Sequence, residues 1–179
     1  MANAVTPVIL GLLSIAPRSG YEIKATVDRS TRYFWAASYG QIYPELRRLE
    51  NEGLIDGEDA PNGARPRRVY RLTPDGRAEL EAWLRSEGDL TIELRDELLL
   101  RIFFADAVGR EEALLLIETR KRIFEEVLAR LHEIDALPGK DPEFVDLILR
   151  WGIAYTEWEA QWCAEQLQRL RGEGAKPAA

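Results

Sequence analysis

Gln41, Tyr43, Arg47 and Arg48 lie within eight residues of one stretch, Ser38-Tyr-Gly-Gln-Ile-Tyr-Pro-Glu-Leu-Arg-Arg-Leu-Glu-Asn-Glu-Gly-Leu-Ile55. An amide and a phenol each donate and accept hydrogen bonds, and a guanidinium presents a fork that fits phosphate or a guanine edge. A second cluster follows in Arg65, Arg67, Arg68 and Arg71, with no acid among them. Four cations crowded on one hairpin repel one another unless a polyanion receives them. Hydrogen bonding to base edges together with neutralisation of phosphates is the chemistry of a duplex-binding surface.

These side chains need a frame. Ser38 followed by Gln41 is a capping-box signature, and Ile42, Leu46 and Leu49 then recur on one helical face. Gly40, Pro44, Arg47, Arg48 and Asn51 fall on the opposite face, with Gln41 and Tyr43 on its flanks. The start of that helix, at Ser38, Tyr39 and Gly40, is open to close approach by a phosphate. Gly53 supplies the position that ends it. Upstream, Thr6-Pro7 reads as an N-cap and first helical residue, with Ile9, Leu12, Leu13 and Ala16 at helical spacing behind them. Pro17 to Gly20 breaks that helix, and a second one from Tyr21 to about Ser30 carries Ile23 and Val27. The aromatic run Tyr33-Phe34-Trp35 leads to the Ser38 cap.

Downstream, Leu54 to Ala60 and Arg65 to Thr73 read as strands around Pro61-Asn62-Gly63-Ala64, a strong hairpin signal. Thr73-Pro74 starts a helix to about Glu87 with Leu80, Trp83 and Leu84 as its apolar face. Helices followed by a hairpin and a further helix make residues 1–88 a winged helix-turn-helix, with a boundary at Ser86 to Asp89. Residues 89–172 read as helix throughout. Leu94, Leu98 and Ile102 mark one helix, and Leu114, Ile117, Phe124, Leu128 and Leu131 a long one from Glu111 to about Ala136. In the last helix Phe144, Ile148, Trp151, Tyr155, Trp158 and Trp162 alternate four and three apart, a narrow seam made for another helix and so for a dimer. The same aromatics also suit a ligand pocket, although such a seam is more often core or interface. Residues 173–179 form a small, polar tail expected to be disordered. The fold class expected is mainly α with a small β-hairpin wing.

Composition narrows the function. The net charge is −7, yet residues 1–88 hold twelve basic and twelve acidic groups, so the acidity lies in residues 89–179. A neutral reading head with a local basic footprint is compatible with duplex binding. No apolar run reaches membrane-spanning length, and Met1-Ala-Asn-Ala lacks a basic leader, so a cytoplasmic protein is expected. Cys163 is the only cysteine and His132 the only histidine, which excludes an internal disulfide, a Cys/His zinc site and any nucleophile–base pair built on a second histidine. The chain is expected to be no enzyme and to carry no cofactor or metal.

Gly11-Leu-Leu, Gly20-Tyr-Glu-Ile23, the run from Tyr39 to Leu54, and Arg65-Pro-Arg-Arg-Val-Tyr-Arg-Leu-Thr73 resemble the PadR family of bacterial transcriptional regulators. The resemblance covers essentially the whole first domain, while the three-helix remainder resembles the longer-tailed subgroup in pattern more than in motif. It implies a homodimer on a near-palindromic double-stranded DNA operator, usually repressing a nearby gene until a small molecule binds; phenolic acids and drug-like aromatics are family examples. Ser38, Tyr39, Gly40, Gln41, Tyr43, Arg47, Arg48, Arg65, Arg67 and Arg68 are the expected DNA contacts. Trp83, Phe103, Phe104 and Trp151 are the expected walls of an effector pocket that would tilt the two reading heads out of their spacing of about 34–36 Å. The competing reading is a winged-helix dimer that serves as a protein–protein adaptor and has no operator.

Overall fold

The computed structural model describes residues 5–31, 35, 38–60, 67–87, 95–139 and 142–173. The chain divides into two compact units, residues 1–90 and 91–179. The expected hairpin turn at 61–64, Arg65, Tyr33-Phe34, the joint at 88–89, Leu94 and residues 174–179 of the tail lie outside the described residues, while Glu173 ends the last helix.

In the first unit α1 (Thr6–Ile15), β1 (Arg18–Ser19), α2 (Gly20–Arg29), α3 (Tyr39–Asn51), β2 (Ile55–Ala60), β3 (Arg67–Leu72) and α4 (Pro74–Arg85) follow one another. The strands form an antiparallel sheet in the order β1-β3-β2, with Ile55 opposite Leu72 and Ala60 opposite Arg67. Sequence reasoning foresees the hairpin but not β1, which lies in the segment expected only to break the chain. There Arg18 pairs with Tyr70 and Ser19 with Val69. Ser19 is also the N-cap of α2: its hydroxyl accepts from the Glu22 N–H while Glu22 Oε2 accepts from the Ser19 N–H at 2.7 Å. One residue therefore ends a strand and starts a helix.

The helices meet over Ile9, Leu10, Ile23, Val27, Ile42, Leu46, Leu49 and Ile55, all shut off from solvent. Each such aliphatic side chain contributes about 1.5–3 kcal/mol on burial. Gly53, at φ +71°, turns the chain out of α3 into β2 in the left-handed region that glycine tolerates. Two expectations need correcting. Thr6 is not the N-cap of α1; Val5 holds that place, and Thr6 is buried inside the helix, where its hydroxyl donates to Glu45. On α4 only Leu80 enters the core, while Trp83 and Leu84 are exposed.

The second unit comprises α5 (Glu97–Phe103), a 3-10 turn (Ala105–Ala107), α6 (Arg110–Asp135) and α7 (Glu143–Glu173). The long helices pack as a pair around Ile117, Cys163 and Leu167, flanked by Ile102, Leu114, Trp162 and Leu170. That core is small for 57 residues of paired helix. Among the described residues no helix is long and apolar enough to cross a membrane.

Candidate nucleic-acid interface

α3 turns Ile42, Leu46 and Leu49 wholly inward, which leaves Gly40, Gln41, Tyr43, Pro44 and Arg47 on the exposed edge. The helix start is fixed by Gln41, whose Oε1 accepts from the Ser38 N–H at 2.9 Å and from the Ser38 hydroxyl at 3.0 Å. Its amide NH2 is left as the outward donor. Tyr39 and Tyr43, one turn apart, stack with centroids 6.1 Å apart, and the Lys24 ammonium from α2 sits 5.2 Å from the Tyr39 ring. Arg47 is exposed and forms no ion pair among the described residues. Pro44 removes one ladder bond, yet α3 continues through it.

Arg48 is differently placed. Its Nη2 donates to Glu45 Oε1 at 2.7 Å and to the Thr6 hydroxyl at 3.1 Å, while Nη1 donates to both oxygens of Glu52. Glu45 is buried, and its hydrogen bond from Arg48 helps hold the Arg48 proton more firmly than usual. Glu45 was missed by sequence reasoning. Its signal was there: an acid three residues before Arg48 on the core-facing side of the helix.

The described wing arginines, Arg67, Arg68 and Arg71, each meet an acid, which removes the self-repulsion argument for these three. Arg67 meets Glu22 at 3.1 Å, Arg68 meets Glu50 at 2.5 Å and Asp59 at 2.9 Å, and Arg71 meets Glu58 at 3.7 Å. The acids arrive from α2, α3 and β2, and those of α2 and α3 lie far from the arginines in sequence. The Ser19 N–H, and to a lesser degree the Ser19 hydroxyl and Arg67, hold the Glu22 carboxyl below its ordinary value against the opposing effect of burial. Arg65 lies outside the described residues.

In the second unit the aromatic seam of α7 splits in two. Tyr155 meets Phe124 of α6 edge-on at 5.9 Å, and Trp162 packs on the small core. Phe144, Ile148, Trp151 and Trp158 are exposed, with Trp151 stacked on Tyr155 at 5.6 Å. An ion cluster beneath the seam was not foreseen. Arg120, 1% exposed, donates to Glu159 at 3.0 and 2.7 Å and to Asp96 at 2.7 Å, and the Tyr155 hydroxyl donates to Glu159 at 2.9 Å. Burial, then the hydrogen bond to Glu159, pushes the Tyr155 phenol up to about 12. Of the expected effector walls, Phe104 joins Leu100, Ala105, Val108 and Leu116 along an open apolar groove. Phe103 stands edge-on to Phe104 at 5.0 Å, exposed, and neither it nor Trp151 lines that groove. Trp83 belongs to the first unit and is exposed there. His132 is exposed, 3.8 Å from Glu157, and Cys163 is buried.

A capped helix with a polar outer edge, a helix packed before it and a hairpin after it define a winged helix-turn-helix, and with it the class of transcriptional regulators built on that fold. The family model described as "Transcriptional regulator PadR-like family" matches residues 9–82, and one described as "Virulence activator alpha C-term" matches residues 94–171. The chain belongs to the PadR-like family of transcriptional regulators. It is 36% identical to the "Negative transcriptional regulator PadR" of Bacillus subtilis over 106 residues, and this match spans 59% of the chain and 58% of that relative. A PadR-like regulator from Bacillus cereus superposes with a TM-score of 0.84 at 27% identity, over 94% of this chain and 98% of that one. Bacillus subtilis PadR in complex with operator DNA gives 0.81 at 27% identity, over 94% and 99%. The same protein in complex with p-coumaric acid gives 0.73 at 25%, over 94% and 96%.

Proposed function

We propose that the chain is a cytoplasmic, ligand-responsive repressor that binds a near-palindromic operator as a homodimer. The observation that carries this reading is the exposed edge of α3, where the Gln41 amide, the Tyr43 phenol and an Arg47 with no ion pair among the described residues stand beside a β-hairpin. In this reading the Gln41 NH2 meets a base edge, Tyr43 and Arg47 follow the groove, and Ser38, Tyr39 and Gly40 bring the helix start to a phosphate. Arg65 and Arg67 contact the backbone or the minor groove from the wing. Arg48 and Arg68 act as braces that hold α3 and the wing in place.

The exposed Phe144, Ile148, Trp151 and Trp158, continued by the half-buried Tyr155 and Trp162, pair with the same helix of a second copy. A small aromatic acid is the proposed effector, with Phe104 in the groove of the second unit as the expected wall that meets it. The Bacillus subtilis relative, seen both with operator DNA and with p-coumaric acid, supports partners of these two types. Selecting bound fragments from the source genome, then titrating the best one across salt concentrations, tests the reading. Affinity that is sequence-selective and falls steeply with salt is expected. Absence of any selective duplex binding would leave the adaptor role in its place.

A further inference from the structure

Among the described residues, a side-chain bridge joins α3 to the wing. From β3, Arg68 reaches Glu50 on α3 through Nη2 at 2.5 Å and Asp59 on β2 through Nη1 at 2.9 Å. The bridge passes over Gly57. A Cβ there would lie 2.5 Å from Arg68 Nε and 2.5 Å from Glu50 Oε1, so any larger residue would push the pair aside. The bare strand is what gives the bridge its course.

Arg68 is half exposed, and an ion pair in such a place contributes little to folding. Its effect on a polyanion is of another kind. A guanidinium that keeps its carboxylates displaces no counterion from a duplex. A phosphate that approached Arg68 would meet Glu50 and Asp59 beside it, two carboxylates that offset the guanidinium charge and repel the same anionic backbone.

We propose that Glu50, with Asp59, is a specificity-determining positioning residue: it withholds Arg68 from the phosphates of arbitrary duplex and leaves discrimination to the outer edge of α3. This rests on the DNA-binding reading above. The two are separated by order of measurement. Full-length wild type is first titrated with its selected fragment and with random duplex of equal length over a salt series; absence of selective binding at this stage defeats the DNA-binding reading itself and the proposal with it. Given binding, the double variant Glu50→Gln/Asp59→Asn is expected to hold random duplex several-fold more tightly at low salt. Its slope of log affinity against log salt should steepen by about one unit, and its preference for the selected fragment should fall. Adding Arg68→Gln should return the slope to that of wild type, and Arg68→Gln alone should leave it unchanged. An unchanged slope in the double variant overturns the proposal. So does a steepening that survives Arg68→Gln, because it then comes from lost negative charge alone. If the double variant does not fold, Arg68→Gln decides: loss of one unit of slope shows that Arg68 already holds a phosphate, and an unchanged slope supports the restraint.

Discussion

The side-chain oxygen of Gln41 holds the helix start, and its NH2 is the donor left over for a base edge. Gln41→Glu therefore separates the two roles. The carboxylate keeps the acceptor that the cap needs, so melting should barely change, while the donor is lost and operator affinity should fall by about 1–3 kcal/mol at the base pairs it reads. Melting curves and gel-shift titrations against operator variants check the two halves. The spacing from Ser38 to Gln41 made this residue legible from sequence. Arg120 was not legible, because in a helix with many charges nothing marks the one that falls between Ile117 and Phe124 on the inner face. Removing it should leave two carboxylates unpaired beneath the seam; Arg120→Ala is expected to cost about 3–5 kcal/mol in urea unfolding of the second unit. Its partner Asp96 adds a pH signature. Burial alone would raise that carboxyl, but the hydrogen bonds from Arg120 and the Leu99 N–H hold it below its ordinary value of 3.8. A depressed carboxyl stabilises fully above its unfolded value and loses that contribution as the pH falls through the folded one. Unfolding midpoints should therefore drop below about pH 4. In Asp96→Asn the loss should already be present at pH 7, and the acid decline should be shallower.

At the scale of elements, the segment from Pro17 to Gly20 shows where pattern reading stops. Its composition marks a break, and a two-residue strand is too short to show any alternation. The capping box in Ser19-Gly-Tyr-Glu22 was nevertheless written in the sequence, and it fixes the start of α2. Ser19→Ala should cost about 1 kcal/mol and lower the melting temperature by a few degrees in calorimetry. Trp83 and Leu84 show the converse, since helical spacing locates an apolar face but not how much of it a small core can cover. α3 was the most legible element because cap, apolar face and terminating glycine agree. What its sequence could not show was the set of acids that meet the wing, because those pairs form between residues distant in the chain.

For the whole molecule, the second unit covers little of its own apolar surface. Phe144 is 74% exposed and Trp158 57%. A solvent-exposed surface of that kind is expected to be buried against a second copy. Sedimentation should therefore show dimers at micromolar concentration, and Trp158→Glu should give folded monomers with weakened operator binding; a folded wild-type monomer would contradict the pairing. Titrating small aromatic acids against tryptophan fluorescence, with and without operator, tests the proposed switch: an acid that acts as inducer should bind more weakly when operator is present, because it must favour the state that does not bind DNA. The buried cysteine opens a further route to the same equilibrium. Cys163 is completely enclosed between α6 and α7, and burial pushes its thiol up, so a thiol reagent reaches it only when the helix pair opens. Its alkylation rate is thus a clock for local opening in the native protein, with no label added. Slower modification in the presence of operator would record, at one site and without any change of sequence, how firmly a duplex held by one unit quiets the breathing of the other.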